Sequence, residues 1–348
     1  MCSPATNTCE TTAVLADAPD DSSVDAPADA AADSMVDAPA SPYAFRRRIT
    51  VTNSSGATMP AGFTIRVRLD LGALVTGGKA RSDLADVRVI GDGSVGERDR
   101  IVDPPGGPAP MAIHFPLATS LAPGASTSVF AIYYGRPNAS APPQNGNAVF
   151  QIYDDFSTPI GLEWLRNDDP TVTGGKLVLR ANRTDAITTT AASDGIPPTS
   201  AFEVIATVKN PQSDPTTPNM NGTFYYWFGY QHTGDFNESD PWIVWIARGK
   251  GAVGAEQRSP VGCEPGCDGT PIAQDTQPHH YVIERDPGAT RFYRDGVLSY
   301  TAAVTNSGDY SLMVRNFLAT SELEVDYVRA RARVAPEPIV TLGAEEAL

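Results

Sequence analysis

Phe63-Thr-Ile65-Arg-Val67-Arg-Leu69-Asp-Leu71 alternates without a break, with five apolar residues on one side of an extended chain and Thr, Arg, Arg and Asp on the other. Successive side chains of a strand point to opposite faces, so this is a strand with one face in a core and one in water. Shorter runs of the same kind surround it at Ile49–Thr52, Val87–Ile90, Met111–Phe115 and Val129–Tyr134. Pro104-Pro105-Gly106-Gly107-Pro108 and Ala122-Pro123-Gly124 separate them, and no amphipathic helix is expected over 43–140.

Pro137–Asn147, rich in Pro, Asn, Ser and Ala, reads as a connection. A second series of strands follows at Lys176–Arg180, Phe202–Lys209, Phe224–Tyr230, Trp242–Ala247, His280–Arg285, Thr290–Tyr293, Ser311–Arg315 and Glu324–Arg331. Within it, Arg291-Phe-Tyr-Arg-Asp295-Gly296-Val-Leu-Ser-Tyr300 is a hairpin, because Asp-Gly supplies the two positive-φ residues of a type I′ turn. Strands spaced this way without helices pack as antiparallel sandwiches. The expected fold is all-β: two β-sandwich modules behind a disordered, acidic, Ala/Pro-rich N-terminal tail. The boundaries are 1–42 for the tail, 43–140 for the first module, 141–150 for a linker and 151–343 for the second.

The tail follows from charge and repetition. Residues 1–45 hold Glu10, Asp17, Asp20, Asp21, Asp25, Asp29, Asp33 and Asp37 and no Lys or Arg, eight of the 15 net negative charges of this 348-residue chain. Asp-Ala-Pro recurs at Asp17–Pro19, Asp25–Pro27 and Asp37–Pro39. Such a segment offers little apolar area against ordering entropy and repels itself, which makes it an extended spacer. It is either a stalk or an inert leader. An acidic protein of pI about 4.6 is not built for nucleic acid or an anionic membrane, and no stretch approaches the ~18 apolar residues of a membrane helix. Met1-Cys2 is followed by neither a basic nor an apolar leader region. A Cys ahead of an acidic spacer is nonetheless like the mature start of a bacterial surface lipoprotein.

Four cysteines fall into two close pairs, Cys2 with Cys9 and Cys263 with Cys267. Cys263-Glu-Pro-Gly-Cys267 lies in a turn-rich loop where a disulfide can close, in keeping with an oxidising compartment. Zinc with His279 or His280 is the rival, though adjacent strand residues face opposite ways and leave three ligands at best; free thiols are the third alternative.

No catalytic residues are assigned. Gly91-Asp-Gly93-Ser-Val-Gly96 has dinucleotide-loop spacing, but Glu97–Pro105 cannot open the helix whose N-terminus would hold phosphate. Ser94 lacks the first Gly of a nucleophile elbow. His114, His232, His279 and His280 sit in no recognisable triad context. Binding has better support. Phe224–Tyr230 and Trp242–Ile246 carry many aromatics on neighbouring strands. Period two puts Phe224, Tyr226 and Phe228 on one face and Tyr225 and Trp227 on the other. With Val244 and Ile246 read as core, Trp245 joins the outer face, so Tyr225, Trp227 and Trp245 are the expected ligand-binding residues.

Phe45-Arg-Arg-Arg-Ile-Thr-Val-Thr-Asn53, the Gly77-Gly-Lys79-Ala-Arg81-Ser-Asp83-Leu-Ala-Asp86 stretch and Phe130-Ala-Ile-Tyr-Tyr134-Gly135-Arg-Pro137-Asn together resemble the bacterial family called domain of unknown function 2341. Asp154-Asp155-Phe156, Phe292-Tyr-Arg-Asp-Gly296 and Val325-Asp326-Tyr-Val-Arg329 resemble the opening, inner hairpin and closing strand of the concanavalin A-like lectin/glucanase (LamG-like) superfamily. Pro336-Glu-Pro338-Ile-Val-Thr-Leu-Gly343 is similar to the ending of chains that pair the two modules. The resemblance spans about 43–343. It implies that the second module is a concanavalin A-like jelly roll, and that the protein is extracellular or at the bacterial cell surface, lipid-anchored or secreted, and non-catalytic. Its implied partner is an extracellular polysaccharide or another surface protein.

Two further expectations come with the resemblance. No cofactor is implied apart from a structural Ca2+, for which Asp154, Asp155 and Asp326 stand where the superfamily ties its opening segment to its closing strand. Retaining glucanases of this fold set Glu, Asp and Glu on alternate positions of one strand. Glu324-Val-Asp326 is the nearest match here, with Glu322 as an extra acid, but the second Glu is missing and the strand is the last one. Glycan cleavage and a purely structural cell-envelope role are therefore the alternatives to binding. Limited proteolysis is expected to cut the tail first and Pro137–Asn147 second, read as the order of fragments on a gel.

Overall fold

A computed structural model describes residues 41–103, 106–161, 164–167, 170–180, 184–188, 196–209, 224–232, 242–248, 252–258, 272–273, 275–302, 310–316 and 322–348. The expected tail, but for its last two residues, and Cys263 and Cys267 lie outside them.

The protein is all-β, built as two sandwiches. The first begins with β1 (Phe45–Thr52), β2 (Thr64–Arg68), β3 (Arg88–Gly91), β4 (Gly96–Glu97), β5 (Ile101–Val102), β6 (Ala112–Pro116) and β7 (Ser126–Tyr134). Strands β2, β6 and β5 form one sheet, and β1, β7, β3 and β4 lie in the other. Ile65, Val67, Ile113 and Phe115 of the smaller sheet meet Ile49, Val51, Phe130 and Ile132 of the larger in one buried cluster. Each such side chain contributes about 1.5–3 kcal/mol by leaving water. The Phe63–Leu71 alternation is used as expected, but pairing stops at Arg68. Asp70 then caps a six-residue helix, α1 (Leu71–Thr76), accepting the Ala73 amide at 2.8 Å. This single turn of helix, Leu-Gly-Ala-Leu-Val-Thr, has no polar face and leaves the all-β character of 43–140 unchanged.

The second sandwich comprises β8 (Ile152–Asp154), β9 (Trp164–Asn167), β10 (Thr171–Val172), β11 (Leu177–Leu179), β12 (Thr184–Thr188), β13 (Ser200–Val208), β14 (Phe224–His232) and β15 (Trp242–Arg248). It continues through β16 (Ala252–Arg258), β17 (Ile272–Ala273), β18 (His279–Asp286), β19 (Ala289–Arg294), β20 (Val297–Ala302), β21 (Tyr310–Asn316) and β22 (Leu323–Ala332). The front sheet has the order β17-β16-β15-β14-β21-β12-β9, and the back sheet β10-β11-β22-β13-β18-β19-β20 with β8 on β22. All pairs are antiparallel, the arrangement of a jelly roll. Asp295 and Gly296 take φ of 52° and 78° between β19 and β20, the two positive values that the hairpin reading requires.

The chain then returns to its first sandwich. β23 (Ile339–Leu342) pairs with β1 from Ile49↔Leu342 to Thr52↔Ile339, and β24 (Glu346–Ala347) pairs with its start. The boundary expected at 343 is corrected: the second sandwich ends with β22, and the terminal strands complete the first. Local alternation says that a segment is a strand, not which strand it will sit beside.

The connection at 141–150 is also no loose linker. Arg81 Nη1 donates to the carbonyls of Pro137 and Ala139, and the Arg100 amide donates to the Pro143 carbonyl at 3.1 Å. A short helix, α2 (Gly146–Val149), follows, and Val149 and Phe150 are buried. The second cleavage site expected above is thereby tied down, and its cutting would require local opening first.

The sandwiches meet where the outer face of the β2-β6-β5 sheet covers the outer face of the back sheet. On β22, Val328 and Ala330 enter the core, so Tyr327, Arg329 and Arg331 emerge on the other side. Arg329 is 1% exposed. It donates to Asp103 of the first sandwich at 2.7 Å and to Glu203 of β13 at 2.9 Å, and its guanidinium lies 4.9 Å from the Phe150 ring. Asp103 in turn holds His114 Nε2 at 3.0 Å. Burial would raise the Asp103 and Glu203 pKa values, but the Arg329 charge and further donors hold both well below the usual carboxylate range. Burial, with help from the Arg329 charge, lowers the His114 pKa against the pull of Asp103.

Arg329→Met removes one partner from a buried ion network and is expected to cost about 3–5 kcal/mol in chemical denaturation. Every folded-state shift named here is downward. Unfolding therefore takes up protons before the folded state does, and stability falls as pH drops. Melting temperature should decline from about pH 6.5, where the unfolded His114 charges, and more steeply below about pH 4, where the carboxylates titrate. His114→Gln should remove the upper part of that decline.

Candidate functional site

Strand β14 sorts its side chains by period two. Phe228 and Tyr230 enter the core of the second sandwich, and Trp227 and Gln231 take the outer face of the front sheet. Register places Arg315 of β21 beside Trp227, and Ser311 and Trp242 beside Gln231. The Trp227 and Trp242 ring centroids are 4.9 Å apart, and the Arg315 guanidinium lies 5.7 Å from the Trp227 ring. This is an aromatic pair backed by a cation on the face turned away from the inter-sheet cluster, yet Trp227 and Trp242 are buried, only 2% and 4% exposed. The buried Trp242 Nε1 has no hydrogen-bond partner among the described residues, leaving a donor able to serve an acceptor.

The expected exposed platform is therefore corrected on both strands, since Trp227 is 2% and Trp245 0% exposed. Trp227 stands on the outer face as reasoned, but Trp245 does not. Ile243 and Trp245 are the core pair of β15, with Trp245 at 0% exposure between Tyr281 and Phe292, its Nε1 donating to the Val282 carbonyl at 3.3 Å. Both faces of β15 carry apolar residues, so alternation shows that there are two faces without saying which is inner. Tyr225 lies on β14, its side chain outside the described part. Neither Trp227 nor Trp245 is an open stacking platform. Sequence reasoning missed Trp242 and Arg315; a lone Arg in the apolar run Ser311–Arg315 was the available signal.

The acids of β22 are on the other sheet. Leu323 and Val325 fill the core, so Glu322 and Glu324 are turned outward on the back sheet, away from Trp227. Glu324 is 3.1 Å from Lys209 and 3.6 Å from Lys176, Asp326 is 2.7 Å from Lys176, and Glu322 pairs with Arg180 at 2.7 Å. A register shift opposite Ile205–Ala206 makes Asp326 the extra residue of a bulge, which breaks the alternation a catalytic strand would need. On Lys176, burial works to lower the pKa but Asp326 and Glu324 more than offset it, and the ammonium is held.

The calcium set is not gathered either. β8 does pair with β22, bringing Asp154 opposite Val328. But Asp154 accepts the Phe156 amide and Trp164 Nε1, Asp155 accepts the Ser157 amide, and Asp326 faces Lys176. Among the described residues no three His, Cys, Asp or Glu side chains are grouped to hold a metal ion. As placed, these residues do not fit calcium, which needs six to eight oxygens around one point. The Gly91–Gly96 segment is a single 3-10 turn, Gly93–Val95, leading into β4, and has no helix to bind phosphate.

No protein-family model matches the chain, and no curated protein matches it. Among solved structures, it is similar to an endo-acting O-glycanase of human gut microbiota (14% identity, 53% of this chain and 99% of that one, TM-score 0.42). It is similar also to the laminarinase of Rhodothermus marinus (15%, 53% and 96%, 0.39) and to the Emp46p carbohydrate recognition domain (11%, 49% and 88%, 0.36). No helix among the described residues is long and apolar enough to cross a membrane.

Trp245→Ala is expected to destabilise the protein by about 3–5 kcal/mol as a core truncation. Glu324→Gln should change stability by no more than about 1 kcal/mol, as a partly exposed ion pair. Urea unfolding followed by far-UV circular dichroism checks both.

Proposed function

We propose that this is an extracellular, non-catalytic carbohydrate-recognising protein that uses the outer face of the front sheet around Trp227 and Trp242. The observation that supports it is the aromatic pair itself. Two indoles and a guanidinium lie together on the face of the front sheet turned away from the other sheet, and the Trp242 N–H has no partner among the described residues. Aromatic faces pack on sugar CH groups, and an N–H answers a hydroxyl. With this reading go two further parts of the proposal: that 43–140 is a module of the kind called domain of unknown function 2341, and that the protein is lipid-anchored at a bacterial surface.

A glycosidase needs two carboxyl groups within about 5–10 Å across one groove. Glu324 and Asp326 are lysine-bound on the wrong sheet. Asp185 and Glu256 occupy positions opposite Arg315 and Val244 on the front sheet, but β12 and β16 are four strands apart, on the order of 19 Å.

The near-complete burial of Trp227 and Trp242 favours a second reading, a purely structural envelope module. Glycan-array screening with a reducing-sugar release assay separates the readings. Saturable binding weakened tenfold or more by Trp242→Ala, without sugar release, is the expected result. Sugar release would overturn it, and silence in both assays would leave the structural role.

A further inference from the structure

A second candidate site lies in the first sandwich, away from the indole pair. β2 is the edge of one sheet and β23 the edge of the other, so the sandwich is open between them. A groove of about 280 Å³ runs there, lined by Thr64, Arg66, Val67 and Arg68 of β2 and by Glu337, Pro338, Val340 and Leu342. Arg66 and Arg68 are two residues apart on a strand whose Ile65 and Val67 enter the core, so both guanidinium groups issue from the same, outward face, about 7 Å apart at the backbone.

Charge in this groove is unbalanced. Glu337 is the only carboxylate in its lining. It is already taken: Arg331 donates to it at 3.0 and 3.3 Å, and Arg333 at 2.6 Å. No hydrogen bond or ion pair among the described residues engages Arg66 or Arg68. Arg66 is half-buried, and burial, with the neighbouring Arg331 charge, lowers its pKa in spite of Glu203 and Glu337. A cation that is desolvated without a partner is a cost that an incoming anion would remove.

We infer that the groove between β2 and β23 binds an oxyanion, the carboxylate or sulfate of an acidic ligand, through the paired Arg66 and Arg68 guanidinium groups. Planar forked donors suit both groups, because each offers two oxygens to parallel N–H bonds. Thr64 at the groove end is spent on the Val149 carbonyl at 2.6 Å, so the two arginines carry the recognition. Val67, Pro338, Val340 and Leu342 supply apolar walls for the body that bears the charge. The inference does not depend on the indole face, and either can fail alone.

Isothermal titration of the full chain with glucuronate, inorganic sulfate and neutral glucose, at constant ionic strength in chloride, tests it. Saturable binding of glucuronate or sulfate, none of glucose, and at least tenfold weakening in Arg66→Gln is the expected result. Arg68→Gln, at an exposed position, should weaken binding as well, and Arg66→Lys should fall between wild type and Arg66→Gln. Glucuronate binding without sulfate binding assigns the site to carboxylates, and the reverse to sulfates. Absence of saturable binding, or equal binding by wild type and Arg68→Gln together with a folded Arg66→Gln, would overturn it.

Discussion

Arg329 occupies a position that no arginine can hold alone. It sits under the first sandwich on the outer side of a strand whose inner side fills the second core, with 1% of its surface exposed. An unpaired guanidinium there would cost several kcal/mol, so Asp103 from one sandwich and Glu203 from the other are both required within hydrogen-bond reach. That requirement fixes how the two sandwiches sit. Asp103 follows β5 directly, so β5 and β6 must lie over β13 and β22, and Phe150 must close over the guanidinium. Ala109, Ile205 and Tyr327 add a small apolar contact beside it. Apolar contacts tolerate sliding, but a buried ion triad does not, and this is what turns two separately cored sandwiches into one body.

Much of the strand framework was legible because alternation and turn chemistry are local. Phe63–Leu71 and Arg291–Tyr300 each carry their own instructions: five apolar residues on one face, or an Asp-Gly pair that takes positive φ. Partner choice was not legible, because β1 draws β23 and β24 from the far end of the chain. Nor was the docking of the sandwiches. Asp103, His114, Glu203 and Arg329 look like ordinary polar positions of half-exposed strands until a second surface covers them.

The candidate site divides along the same line. On β14, Phe228 and Tyr230 against Trp227 and Gln231 is an unequal contest, and alternation chose the inner face correctly. On β15, Ile243 and Trp245 compete with Trp242 and Val244, and nothing within the segment decides. The answer comes from across the core, where Tyr281 and Phe292 of the back sheet make the pocket that takes the larger ring. Asp326 was misread for another reason: one bulged residue shifts every face assignment beyond it.

The return of the C-terminus to β1 bears on the order in which the protein is made. Arg46 and Glu346 pair across 300 residues of chain, so this sandwich cannot be finished until β23 and β24 have been made. Its β1 would wait with one edge bare while the whole jelly roll is synthesised and folds as a unit. On a ribosome adding ~5–20 residues per second, that wait is on the order of tens of seconds. The Arg46–Arg47–Arg48 run lies on that strand, and charge on an unpaired edge discourages pairing with the wrong strand.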